Sequence, residues 1–152
     1  MTLQMPKNTF SFNLQNYSSG SFTFDVTENL MYKCNAPNNR SGVYIIYSLQ
    51  NLNKELIYIG CSGHITNEGI MSVRSTGKGG LKGRIVNGHQ FKDNRYRSWP
   101  NQMKIENIDS LEVHWFVTHN EIDCDSPLFV ETNLLHEFYK VHKRLPRWNQ
   151  KL

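Results

Sequence analysis

Two short apolar runs joined by a polar turn constrain this chain more than any other feature. Residues 42–49 read GVYIIYSL and residues 55–61 read ELIYIGC. Both are rich in Ile, Val and Tyr, which suit a pleated sheet. The intervening Gln50, Asn51, Leu52, Asn53 and Lys54 are turn material, so the two runs are expected to be antiparallel neighbours. Whatever the fold, it is built around this pair.

The rest of the chain supplies partners. Residues 9–14 and 21–26 each alternate, with Phe10, Phe12 and Leu14 on one face and Phe22, Phe24 and Val26 on another, and Tyr17 to Gly20 lies between them. This predicts an N-terminal hairpin. Residues 35–41 have loop composition and place a boundary between an extension over 1–40 and a main module over 41–152. Residues 62–80 carry five glycines and read as a long loop. Leu81 and Ile85 then recur at helical spacing, so a helix is expected to begin near Gly80. Residues 111–118 alternate as a third strand. Ser126 and Pro127 open the clearest helix, with an apolar stripe of Val130, Leu134, Leu135 and Phe138 and a stop at Pro146. Glu131 leans toward that stripe, and Glu137 is a second acid on the same helix.

Size and composition exclude several classes. The 152 residues suffice for one globular domain. No run approaches the roughly 18 apolar residues of a membrane span, and residues 1–8 do not resemble a secretory leader. Cys34, Cys61 and Cys124 are isolated, which argues against a zinc knuckle or a disulfide framework and suits the cytoplasm. The formal net charge is +4, and its distribution is uneven. Residues 74–104 hold Arg74, Lys78, Lys82, Arg84, Lys92, Arg95, Arg97 and Lys104 against Asp93 alone. Lys140, Lys143, Arg144, Arg147 and Lys151 follow near the end, whereas residues 106–125 are acidic. Such segregation makes a positive face that attracts a phosphate backbone. Lys78, Lys82, Arg95 and Arg97 are the expected nucleic-acid contacts.

The order is strand, turn, strand, Gly-rich loop, basic helix, strand, then a helix with an inward-leaning glutamate. Gly42-Val43-Tyr44 and Tyr58-Ile59-Gly60 resemble the two halves of the signature of GIY-YIG nucleases. Arg84 resembles the family arginine, Glu131 its metal-binding glutamate, and Pro146-Arg147-Trp148-Asn149 its closing motif. The resemblance spans about residues 41–150, and its five short motifs occur in the family's order. It implies an α+β fold with a small three-stranded central sheet flanked by helices, preceded here by the hairpin extension.

The resemblance also implies roles. Tyr44 would act as general base. A free tyrosine, with a pKa of about 10, is a poor base at neutral pH, so the role calls for a neighbouring cation. Tyr58 would bond the scissile phosphate or the attacking water. Arg84 would meet charge building on the phosphate with a permanently charged fork. Glu131 would hold Mg2+, or Mn2+ in its place, because a hard ion prefers oxygen ligands and keeps several waters. Asn149 would orient a phosphate-side group or the tail itself. The family histidine four residues after the arginine is replaced by Gly88, with His89 one step further and about 100° around a regular helix. His89 is therefore the candidate for that role.

The long insertion over 62–80 is most like those of GIY-YIG type II restriction endonucleases. The expected activity is metal-dependent endonucleolytic cleavage of double-stranded DNA, leaving 5′-phosphate and 3′-hydroxyl ends. A palindromic target would call for a homodimer, with no membrane partner. A less specific phage, repair or toxin-like nuclease, and a catalytically inactive DNA-binding module, are the alternatives. No HExxH, P-loop or GxSxG motif is present.

Overall fold

The two apolar runs form the centre of the sheet. The computed structural model describes residues 10–74 and 79–152. In chain order the elements are β1 (Ser18–Phe24), α1 (Leu30–Lys33), β2 (Ser41–Gln50), β3 (Asn53–Ser62), β4 (His64–Ile65) and β5 (Met71–Ser72). Then follow α2 (Gly80–Asn87), β6 (His89–Gln90), β7 (Asp93–Asn94), α3 (Arg95–Glu106), β8 (Ser110–His119) and α4 (Pro127–His142).

β2 and β3 are antiparallel and tighter than expected. Their turn is two residues, Asn51 and Leu52, both at positive φ, with Gln50 paired to Asn53. That geometry matches the twist of the flanking strands. β8 pairs antiparallel with the other side of β2.

The sheet has four strands, not three, in the order β1-β8-β2-β3. The expected N-terminal hairpin does not form. β1 pairs with β8, from Ser18 opposite Val117 to Phe24 opposite Leu111. Residues 10–14 form no strand. Both alternating segments are apolar on one face, but the edge of β8 lets Phe22 and Phe24 join the core. Phe10, Phe12 and Leu14 instead pack on the opposite face of the sheet. Glu137 holds them there, accepting from Ser11 N at 2.8 Å and Phe12 N at 3.1 Å. Phe22, Phe24 and Leu30 precede residue 41, yet they share a core with Tyr44 and Ile46.

Helices cover both faces of this α+β sheet. One face buries Tyr44, Ile46, Leu81, Ile85, Trp99 and Met103 against α2 and α3. The other buries Val43, Ile45 and Ile59 against Val130, Leu134, Leu135 and Phe138 of α4. Each such buried side chain contributes about 1.5–3 kcal/mol relative to exposure. Ser126 caps α4 by accepting from Phe129 N, and Pro127 occupies its first turn, as the sequence predicts. The helix ends before Pro146, at Lys143 in the left-handed conformation. Among the described residues, no helix is long and apolar enough to cross a membrane.

A β-bulge sets up the site. Ile46 pairs with Tyr58 and the next residue, Tyr47, pairs with Leu56, so Ile57 is extra. Leu56 and Tyr58 would share a face in a regular strand. The bulge sends Leu56 to the α4 side and Tyr58 to the α2–α3 side.

Candidate active site

The glycines of the two strand motifs are steric requirements. A β-carbon at Gly42 would run into the Phe116 carbonyl oxygen, so only glycine lets β2 approach β8 there. Gly60 pairs directly with Tyr44, and a β-carbon on it would lie 2.5 Å from Tyr44 Cζ. Tyr44 therefore reaches across its neighbour strand. Its ring centroid lies 6.0 Å from that of Tyr58.

Helix α2 brings Arg84. Its first N–H groups are satisfied by a loop, with Leu81 N donating to Arg40 O at 3.0 Å and Lys82 N to Pro37 O at 3.0 Å. Gly80 has φ +61°, and a β-carbon there would lie 2.5 Å from the Asn38 carbonyl carbon. This loop fixes where the helix starts. Arg84 is half-buried, and its Nε has no hydrogen-bond partner among the described residues. Its guanidinium is held above the ordinary value, first by attraction to the Tyr44 oxygen, with burial opposing.

β3 is an edge strand, and residues from both layers meet around that edge. An open cleft of about 690 Å³ is lined by Tyr58, Ile59 and Cys61 of β3, Arg84 of α2 and Glu131 of α4. His89 to Lys92 of the β6–β7 hairpin and Trp148 to Lys151 of the tail complete it. Tyr58, Arg84, His89, Glu131 and Asn149, scattered over more than half the sequence, thus line one cleft. Tyr44 does not line it, being fully buried behind.

Burial raises the Tyr58 hydroxyl well above its ordinary value. The Tyr44 oxygen and Glu131 push the same way, while Arg95 and Arg84 oppose. Tyr58 is therefore a neutral donor at working pH. Glu131 is raised by burial, opposed by a hydrogen bond from the Cys61 thiol and by the charge of Arg84. The Cys61 thiol is itself pushed up by burial and by Glu131. Among the described residues Glu131 forms no ion pair within 4.0 Å, and no cluster of three or more His, Cys, Asp or Glu gathers. A lone, partly desolvated carboxylate facing an open polar cleft suits a hard divalent ion that keeps most of its waters.

The Asn149 side chain bonds the backbone of β3. Its Oδ1 accepts from Ile59 N at 3.0 Å and its Nδ2 donates to Ile59 O at 2.9 Å. With Trp148 N donating to Ile57 O at 2.9 Å, the tail pairs with the β3 edge. Glu137 is occupied at the N-terminal segment, away from the cleft.

The expected DNA contacts separate. Lys78 lies outside the described residues. Lys82 is half-buried beside the 37–40 loop. Arg97 is exposed on α3 but forked onto Asp93, at 2.9 Å and 2.7 Å. Arg95 is not a surface contact, since it is 1% exposed. It lies on the inward row of α3 with Trp99 and Met103, four residues apart, and its guanidinium joins the two tyrosines. Nη1 donates to Tyr44 Oη at 2.6 Å and Nη2 to Tyr58 Oη at 3.2 Å. The sequence reading missed this role because it counted Arg95 as surface charge. The four-residue spacing with Trp99 and Met103 was the available signal.

Comparison with protein-family models, with curated proteins and with solved structures finds no match.

Proposed function

We propose that this chain is a divalent-metal-dependent endonuclease acting on double-stranded DNA, built as its motifs imply for a GIY-YIG nuclease. The observation that carries the reading is the convergence of Tyr58, Arg84, His89, Glu131 and Asn149 on one cleft. A chance set of short motifs has no reason to meet in space.

The chemistry follows from the groups present. Tyr58, held neutral, donates to the phosphate or to the attacking water. Arg84, with an unpartnered Nε, meets the charge that grows on the phosphate oxygens. Glu131 would hold Mg2+ or Mn2+, which would supply further charge neutralisation when bound. Tyr44, as the phenolate that remains once its own proton has gone to solvent, accepts the proton of the water that attacks phosphorus. The 3′ oxygen departs with its electron pair and takes a proton from solvent. Of the two hydroxyls Tyr44 is the better placed for the base role, since Arg95 donates to it at 2.6 Å against 3.2 Å for Tyr58. Tyr44 lies behind the cleft wall, so substrate must bring water to it by displacing the half-buried Arg84 side chain. Catalytic contacts commonly tighten only in the complex.

The likeness of the 62–80 insertion to those of type II restriction enzymes supports site-specific cleavage, and a palindromic target would then call for a homodimer. Plasmid digestion with Mg2+ or Mn2+, an EDTA control and sequencing of the ends tests the whole reading. Discrete fragments are expected. A smear would favour the less specific nuclease, and metal-independent binding with no cleavage would leave a DNA-binding module.

A further inference from the structure

We propose that Arg95 is the positioning residue of this cleft, holding the Tyr44 and Tyr58 hydroxyls in fixed register and stabilising negative charge on the Tyr44 oxygen. The inference rests on the nuclease reading and adds to it a group that the sequence motifs do not contain.

Three observations support it. The first is burial without a counter-charge. Arg95 is 1% exposed, and among the described residues no carboxylate forms a salt bridge with it. A buried cation without an anion is costly, and proteins retain one where an anion forms or binds beside it. The nearest acceptor is the Tyr44 oxygen, at 2.6 Å. A cation donating to a phenolic oxygen strengthens as that oxygen becomes anionic.

The second is the rigidity of the fork. Nε donates to Gln90 Oε1 at 3.0 Å, and Nη1 donates also to the Arg84 carbonyl at 2.9 Å. Gln90 Oε1 accepts from Trp99 Nε1 as well, at 2.9 Å. The rings of Tyr44, Tyr58 and Trp99 surround the guanidinium at 5.3–5.5 Å. Four hydrogen bonds and three aromatic faces leave it one orientation, and the planar fork serves both hydroxyls while its other donors anchor it to Gln90 and the Arg84 carbonyl.

The third is the space reserved for it. A β-carbon at Gly88, the cap of α2, would meet the Arg84 carbonyl oxygen at 2.3 Å and Arg95 Nη1 at 2.9 Å, so the bare residue that the helix end demands also leaves room for the fork. Through the Arg84 carbonyl the same group ties α3 to the last turn of α2. The charged and titratable groups around the Tyr44 oxygen are thus Arg84 from α2, Arg95 from α3, Tyr58 from β3 and Arg74 from the preceding loop. Of these, Arg95 bonds both tyrosines.

A double-mutant cycle on the full chain tests the proposal. Single-turnover cleavage and DNA affinity are measured for wild type, Arg95→Gln, Tyr44→Phe and the pair, with melting curves for each. Arg95→Gln is expected to slow cleavage by about 100-fold or more, the scale of lost general-base assistance, while affinity stays unchanged. On the Tyr44→Phe background the same substitution is expected to cost no more than about twofold, because residues acting as a unit are not additive. Arg95→Lys is expected to recover part of the rate, since it keeps the charge but loses the fork's fixed geometry and its anchors to Gln90 and the Arg84 carbonyl. If Arg95→Gln does not fold, Arg95→Lys carries the cycle, with unchanged affinity and a loss that disappears on Tyr44→Phe. A variant cutting at the wild-type rate, or a loss repeated in full on Tyr44→Phe, overturns the role of Arg95 alone. Absence of cleavage by the wild type overturns the nuclease reading itself.

Discussion

Gly60 leaves open the space that the Tyr44 phenol fills: a β-carbon on the glycine would lie 2.6 Å from the tyrosine oxygen and 2.6 Å from Tyr58 Cε2. One bare position thus admits both rings. Gly60→Ala is expected to cost about 1–3 kcal/mol of stability, the usual range for overpacking, and to lower cleavage beyond what that loss explains. Gly42→Ala meets the Phe116 carbonyl oxygen instead, and backbone cannot swing aside. It is expected to be the more destabilising of the two. Denaturant melts beside cleavage rates check the order, and a fully active Gly60→Ala protein would refute the packing argument.

Tyr44→Phe removes a hydroxyl and keeps the ring. Cleavage is expected to fall by about 100- to 10,000-fold, with DNA binding intact. Tyr58→Phe is expected to cost less, because it loses a donor and not a proton acceptor. Single-turnover rates at saturating Mg2+ separate chemistry from product release. A Tyr44→Phe protein within about threefold of wild type would remove that residue from the base role, since lost general-base catalysis costs far more.

Glu131→Ala is expected to abolish metal-dependent cleavage while leaving affinity for DNA largely intact. The carboxylate faces the cleft, and affinity would be carried by other side chains, Lys92 and Lys151 among them. Gel shifts and cleavage on one preparation decide it. Normal cutting by the variant would remove Glu131 from the metal site.

Binding is expected to weaken steeply with salt through counterion release. Lys92 and Lys151 line the cleft and are exposed, whereas Arg95 is not. Replacing both lysines with alanine is expected to reduce the salt slope by about 0.9 for each phosphate that a lysine neutralises. Arg95→Gln is expected to leave the slope unchanged. A flat salt dependence in the wild type would reduce the uneven charge to a surface accident.

Acid is expected to loosen the tail through Glu106. Burial would raise this carboxyl, but hydrogen bonds from Gln102, Trp148 and Arg147 outweigh it and hold it below its ordinary value. A depressed folded-state value means stability present above the unfolded carboxyl value and lost as pH falls through the folded one. The window therefore lies below the ordinary glutamate value of about 4.3. Glu106→Gln is expected to cost about 1.5–3 kcal/mol near neutral pH, the range for bonds to a charged group, with the difference shrinking in acid. Melts of both proteins from pH 7 downward check this. A constant gap would show that the charge of Glu106 is not what holds Trp148.

β2, β3, β8 and α4 were legible in the sequence because their patterns are local. Alternation marks the strands, and Ser126 with Pro127 marks the start of α4. Helix α3 was not legible. Its inward row is Arg95, Trp99 and Met103, and an arginine at its head, with Pro100 in the second turn, disguises the apolar period. The same residue explains why the cleft was only partly readable. Tyr58, Arg84, His89, Glu131 and Asn149 follow from motif order, but a buried guanidinium has the same letter as a solvated one. The partner of β1 was hidden for another reason. Alternation shows that a segment wants a neighbour and says nothing about which edge, nearly 100 residues away, will accept it.

That distant pairing orders the events of synthesis. β2 and β3 can close through their two-residue turn as soon as both have left the ribosome. β1 is made before them, yet its hydrogen-bonding partner is β8, and Ser18 waits for Val117. Closing so long a loop is slow compared with forming a hairpin. Until residues 111–117 have left the ribosome, Phe22 and Phe24 therefore lack the strand they pair with in the fold, and an unpaired apolar strand is prone to aggregate. The first strand made cannot be paired until the last long strand is made.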